Sequence, residues 1–409
     1  MKIVKPLTLG VLTKPYRYRR SNRLALAVYG FFRLGGNAPG RFLSENLQWP
    51  AVLANLPAEQ PLDEVMPKQR GEILLAGRAH APGGQAVREM QVRLSCAGVD
   101  KALHIVGDRQ WYYGLIPWYR TTRPQPFTSL PIGYERAFGG PRHPGNLIGR
   151  GYSGNPLAGL VGANRGLLPN VEQPGRPITR HWRRTAPAGF GPLDLRWTPR
   201  QGRGGTYDAA WLAEDAPGLA RDIDWRIFNR APEDQWLPSF FQGGEAYRLE
   251  GLHSCGILAG TLPRARLRAF IQRQGAAGIE EVHLNWDTVW FLPEGDDPAH
   301  PLGVAVWHGE TEIADSDGLD VAALMAGYED MDQPRALEHY RQVFAWRTDP
   351  AEAALHAFNE AELAPAQDPA EAARLAAAQE QAAAQQAAAR EAQVADLMAE
   401  VNAQLAEAG

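Results

Sequence analysis

From about Leu115 to Gly205 the chain shows neither the 3.6-residue period of a helix nor the alternation of a half-buried strand. It is crowded instead with Pro, Gly, Arg and aromatic residues. A structureless stretch of this length is uncommon inside a compact domain unless it binds something or is packed by its own side chains. The means of packing are present: the 409 residues include twelve Trp, among them Trp111, Trp118, Trp182, Trp197, Trp211, Trp225 and Trp236. Each offers a large apolar area and an indole N–H that needs an acceptor when buried. The expectation is a body whose long loops are stapled by aromatic side chains.

Around that stretch the signals are those of strands. Leu24 to Phe32 is a nine-residue aliphatic and aromatic run, short for a helix and right for a buried strand. Glu72 to Ala76, Met90 to Ser95 and Ala102 to Val106 follow, bounded by Gly, Pro or Asp. Short β-prone segments return from Glu245 to Leu262, Ile279 to Pro293 and Gly303 to His308. After Asp320 the apolar residues Val321, Leu324, Met325, Leu337, Tyr340 and Phe344 fall three and four apart and predict helices. Asp349-Pro350 and Asp368-Pro369 are helix starts, and the segment after the second is rich in Ala, Gln and Glu. The expected class is α+β: an antiparallel β body, sandwich or barrel-like, with long irregular loops over 1–310, a short helical region over 311–363, and an acidic Ala-rich helix over 364–409. On that last helix Val394, Leu397, Met398, Val401 and Leu405 would form one apolar face, a candidate partner contact.

Charge is unevenly placed. The formal net charge is -4, yet residues 349–409 hold eleven Asp or Glu and two Arg, a net of -9, which leaves the first 348 residues at +5. Two basic runs interleaved with aromatics stand out, one from Lys14 to Arg23 and one formed by Arg176, Arg180, Arg183 and Arg184. A body at +5 is far from the strongly basic domain that nucleic acid demands, so these runs predict solvated loops or contacts to an acidic partner, this chain's own acidic tail among the candidates. No run of roughly 18 apolar residues is present and the N-terminus lacks a signal h-region, so a cytoplasmic location without membrane association is expected. Cys96 and Cys255 form no C-x-x-C pair and predict two buried free thiols rather than a disulfide framework or a metal site.

No catalytic, cofactor or metal-ligating set can be assembled from spacing. His253, Cys255 and His283 lack a completing ligand pair. Gly151-Tyr152-Ser153-Gly154 resembles a nucleophile elbow only superficially, because no strand-to-helix turn is predicted there. Gly202-Arg203-Gly204-Gly205-Thr206 lacks the lysine and length of a P-loop. Asp108-Arg109 and Glu135-Arg136 read as buried or semi-buried ion pairs that anchor loops. An enzyme would draw on Asp108, Glu135, Asp208, Asp222 or Asp224.

A series of segments carries a resemblance: Lys101 to Trp111 with Gly107-Asp108-Arg109-Gln110-Trp111, Leu130-Pro131-Ile132-Gly133-Tyr134-Glu135-Arg136-Ala137-Phe138-Gly139-Gly140, Asn146 to Tyr152, and Leu168-Pro169-Asn170-Val171-Glu172. Pro187 to Pro192, Gly205-Thr206-Tyr207-Asp208, Trp211 and Phe228-Asn229-Arg230-Ala231-Pro232 complete it. In order and spacing, from roughly residue 20 to 310, these resemble a bacterial domain family encoded beside type VI secretion genes. The resemblance implies a non-enzymatic adaptor or co-chaperone whose partners are a type VI effector, its chaperone or a spike-tip protein, with no cofactor. It carries over no catalytic residues. Asp108, Arg109, Trp111, Tyr134, Glu135, Arg136, Phe138, Gly139, Gly140, Asn170, Glu172 and Asp208 enter as its structural positions. The rival expectations are an enzyme with an acidic site in the loop region, and a secreted effector.

Overall fold

The run Leu24 to Phe32 has almost no polar side chain to offer to water, and it becomes the middle of the strand Ser21–Arg33, buried from Leu24 to Phe32. In the computed structural model, which describes residues 1–36, 40–43, 65–113, 119–155, 166–276, 278–294 and 299–348, that strand lies inside a five-stranded central sheet. The order is Leu9–Tyr18, Ser21–Arg33, Leu302–Ile313, Asn285–Leu292, Glu72–Leu75. All pairings are antiparallel except the last, where Glu72–Leu75 runs parallel to Asn285–Leu292.

Both faces of this sheet are covered, which is why its strands read as continuous apolar runs. On one face Ala27, Tyr29, Phe31, Trp290, Val304 and Val306 pack against Met66, Ile223, Ile227 and Phe228 from the loops. On the other, the Phe42 ring lies over Gly30, where a Cβ would fall 2.7 Å from it. The same ring meets Trp307 at 6.1 Å and Tyr328 at 5.2 Å, edge to face. Phe31→Ala would cost roughly 3–5 kcal/mol, the transfer loss plus the cavity left behind.

A second five-stranded sheet, all antiparallel, has the order Val171–Glu172, Val99–Val106, Glu89–Cys96, Ala246–Glu250, Ile257–Thr261. Val92, Leu94 and Cys96 are buried while Glu89, Gln91 and Arg93 are exposed, the alternation of a sheet wet on one side. Its Ala97-Gly98 turn has positive φ at both residues, 50° and 85°. A third sheet orders Lys2–Val4, Val321–Asp330, Ala265–Arg273 and Glu280–Val282, with Lys2–Val4 parallel to its neighbour.

These pairings correct the expected class. The fold is β-rich with mixed as well as antiparallel sheets, and among the described residues only Ala209–Glu214 and Leu337–Thr348 are α-helices. After Asp320 the helix expected at Leu337 is present as Leu337–Thr348, but the one expected at Val321 is not: Val321–Asp330 is a strand buried along nearly its whole length. Its three-and-four spacing arises because a strand packed on both faces has no need to alternate, and nine register pairs with Ala265–Arg273 outweigh the local pattern. The β architecture thus continues past residue 310 to Asp330, and the α+β description with a C-terminal helical region gives way to a β-rich one. The expected Ala-rich helix, with Val394, Leu397, Met398, Val401 and Leu405, lies outside the described residues.

Candidate functional site

The segments that carry the family pattern are far apart in sequence and meet in space. Strand Val99–Val106 ends at Gly107, and the following Asp108 accepts bonds from Arg136 and Arg150 at 3.4 Å each and from Asn170 Nδ2 at 3.0 Å. Asn170 is fully buried; its Nδ2 also donates to the Val106 carbonyl at 2.8 Å, and its Oδ1 accepts from Arg136 at 3.1 Å. Arg109 turns the other way and pairs with the buried Glu172, whose Oε1 also accepts the Ile178 N–H at 3.1 Å. The sequence-adjacent pairs Asp108-Arg109 and Glu135-Arg136 are therefore not paired internally: Asp108, Arg109 and Arg136 bond to other loops, and Glu135 is exposed. Burial and the neighbouring Arg136 lower the Arg150 pKa, against the opposing pull of Asp108 and Glu135.

The Tyr-Glu-Arg-Ala-Phe-Gly-Gly segment is clamped by Asn146, whose buried Nδ2 donates to the Tyr134 and Phe138 carbonyls at 2.8 and 3.2 Å. Gly139 has no room for a side chain, since its Cβ would fall 2.3 Å from the Asn146 carbonyl oxygen, and Gly140 holds a φ of 148°. Phe138 is buried against the rings of His143 and Tyr152. Tyr134 stacks edge to face on Trp197 at 5.4 Å, and burial pushes its phenol pKa up. Trp111 is buried beside the His181 ring, 5.8 Å away. Asp208 caps the helix Ala209–Glu214 by accepting the Trp211 N–H at 3.0 Å.

A second knot, not legible from spacing, forms around Lys101. Its ammonium donates to the Gly189 carbonyl at 2.7 Å, Asp234 at 2.8 Å and Gln235 at 2.7 Å, tying two loops to one strand. Burial lowers its pKa, and Asp234 opposes that shift. A third is the buried chain His308, Asp287, Thr288, Lys68 and Glu72. His308 Nδ1 lies 2.6 Å from Asp287, Thr288 donates to Asp287 at 2.9 Å, and Lys68 donates to Thr288 at 2.8 Å and to Glu72. Glu72 also accepts the N–H groups of Arg230 and Ala231 at 2.7 and 2.9 Å. Burial pushes the Glu72 pKa up, and Lys68 with these donors more than offsets it, leaving the pKa below its ordinary value. These knots position loops.

Beside the Asp108 cluster the loop 176–185 has a different character. Ile178 is buried and held by Glu172; His181 is buried, with its carbonyl accepting the Ser153 N–H at 2.8 Å and its Nδ1 lying 2.6 Å from Ser153 Oγ; the Thr185 carbonyl lies 3.0 Å from His143 Nε2. Between and beyond these pins, Arg176, Arg180, Arg183 and Arg184 are exposed and line a groove of 320 Å³ with Thr179 and Thr185. Among the described residues no carboxylate lies within ion-pair distance of any of the four. Burial lowers the His181 pKa, and burial with the nearby Arg184 lowers that of His143, so both rings are neutral near pH 7. The Ser153–His181 contact places a hydroxyl on an imidazole, but no strand-to-helix elbow is present: both residues lie in irregular loop.

The remaining candidate chemistry is dispersed. Asp222 accepts the Thr206 N–H and hydroxyl at 2.9 and 2.8 Å, and Asp224 caps the turn Trp225–Phe228 through the Arg226 N–H at 3.0 Å. Cys96 is buried, with its thiol pKa pushed up by burial; Cys255 is exposed, contrary to expectation, with Sγ 3.0 Å from His253 Nδ1. The exposure follows from its place on the turn before Ile257–Thr261. Among the described residues no three His, Cys, Asp or Glu side chains come together to hold a metal, and no helix is long and apolar enough to cross a membrane.

A β-rich body whose dispersed loop residues converge on buried ion-pair knots defines a loop-presenting scaffold. Residues 19–297, more than half of the chain, match the family described as "Uncharacterized protein conserved in bacteria (DUF2169)", and the chain belongs to that family. Comparison with curated proteins and with solved structures gives no match.

Proposed function

We propose that the protein is a non-enzymatic adaptor of type VI secretion, binding an effector or its chaperone for loading onto the spike tip. The observation that carries this reading is how the pattern residues and most of the candidate acids spend their polar groups. Asp108 is taken up by Arg136, Arg150 and Asn170, Glu172 by Arg109, and Asp208, Asp222 and Asp224 by caps and turns. A general acid or base has to present its carboxyl to a substrate, whereas these residues fix the shape of loops, as a recognition surface requires. The secretion context comes from the family resemblance in the same residues.

Deleting the gene in its native bacterium tests the proposal. Secretion of one effector should fall sharply while spike assembly continues, and the protein itself should remain in the producing cell. Undiminished secretion of every effector, or export of the protein as cargo, would overturn it.

A further inference from the structure

We infer that the loop 176–185 is the docking site for a carboxylate-rich segment of the partner protein, with the guanidinium groups of Arg176, Arg180, Arg183 and Arg184 taking Asp and Glu side chains. The inference deepens the adaptor reading and rests on it for the partner being a protein.

Three features set this loop apart. Elsewhere many exposed and half-buried arginines are neutralised within the chain, as in Arg23–Glu310, Arg93–Asp100, Arg221–Asp215, Arg264–Asp332 and Arg273–Asp320, and those without a carboxylate do not gather four to one loop. The four of this loop have no such partner among the described residues. Secondly, the loop is held at Ile178, His181 and Thr185 by bonds to Glu172, Ser153 and His143, so the charges are presented by a fixed backbone and less ordering entropy is lost on binding. Thirdly, the cations are all arginine. A guanidinium fork matches a carboxylate with two parallel bonds, which the point charge of lysine does not.

The groove also says what does not fit. None of its lining residues carries an aromatic ring, so it lacks the stacking platform on which single-stranded nucleic acid binding depends. Its 320 Å³ is at the small end for an organic ligand but suits side-chain carboxylates laid across an open surface.

Fluorescence anisotropy of a labelled oligoglutamate peptide on the full chain tests the inference without any effector. Saturable, salt-sensitive binding is expected, weakened about tenfold or more by Arg180→Gln with Arg183→Gln. Lys replacements at the same two positions should restore only part of it, and Lys14→Gln with Arg17→Gln should change it less than about twofold. Unaltered circular dichroism establishes that the variants are folded. Absence of saturable binding, equal losses in the two double variants, or displacement of the peptide by a single-stranded oligonucleotide of equal charge at lower concentration would overturn the site. Because this readout needs no secretion partner, a failed site with an intact deletion phenotype leaves the adaptor standing, and the reverse result leaves the site standing.

Discussion

Two segments of similar composition, the hairpin Lys14 to Arg23 and the loop Arg176 to Arg184, end in different electrostatic states. In the hairpin Arg23 pairs with Glu310, which also accepts the Tyr16 hydroxyl, and Arg20 pairs with Glu214 at 3.0 Å. Its Arg19-Arg20 turn has positive φ at both residues, 48° and 66°, a conformation that Asn-Gly adopts at far lower cost. The loop has ordinary backbone at its arginines and, among the described residues, no carboxylate paired with them. The difference teaches that a run of arginines is not a binding signal in itself: what matters is whether distant segments return carboxylates to it. Glu214 and Glu310 come from far along the chain, so only the folded protein distinguishes the two cases.

The largest effect should come where charge is wholly internal. Glu72→Ala leaves Lys68 buried without its carboxylate and is expected to cost about 3–5 kcal/mol by urea denaturation. The same group sets an acid limit. Its folded pKa lies below its ordinary value, so below about pH 4 the unfolded chain binds more protons. The stabilisation is present in full above that range and is lost as pH falls through it, which Glu72→Gln should flatten in a pH series of melts.

Next in size, Glu172→Ala removes the buried partner of Arg109 and the acceptor of the Ile178 N–H. A cost of about 3 kcal/mol is expected, together with weaker oligoglutamate binding because the loop loses one of its pins. A stability loss with unchanged peptide affinity would show that the pins do not matter to binding.

Smaller again, Glu310→Gln unpairs the half-buried Arg23 and should cost about 1 kcal/mol, discounted for its partial exposure. Smallest, Glu214→Gln at the exposed Arg20 and Arg221 should leave the urea midpoint unchanged. If pairing is what silences the hairpin, combining the last two should give it measurable oligoglutamate binding.

Much of the strand pattern was legible: the runs at Leu24, Glu72, Met90, Ala102, Gly303 and the stretch ending at Phe291 are strands because apolar, β-branched and aromatic residues repeat between turn formers. Leu9–Tyr18 was not, since Lys14, Pro15 and Arg17 make it an edge strand with little apolar signal. Val321–Asp330 was misread as helical for the opposite reason, burial on both faces. Within the site, Asp108, Asn170 and Glu172 stood out as pattern residues, yet their true partners, Arg136, Arg150 and Arg109, follow from loops meeting in space. Lys101 with Asp234 and Ser153 with His181 left no spacing signal, because each pair joins segments that only the fold brings together.

The most direct test of the whole account is a tagged pull-down from the native bacterium, comparing the wild-type chain with Arg180→Gln/Arg183→Gln and identifying partners by mass spectrometry. The account predicts that the wild type recovers an effector, an effector chaperone or a spike-tip protein, and that the variant loses most of it. Recovery of none of these by the wild type, or equal recovery by the two chains, would contradict it.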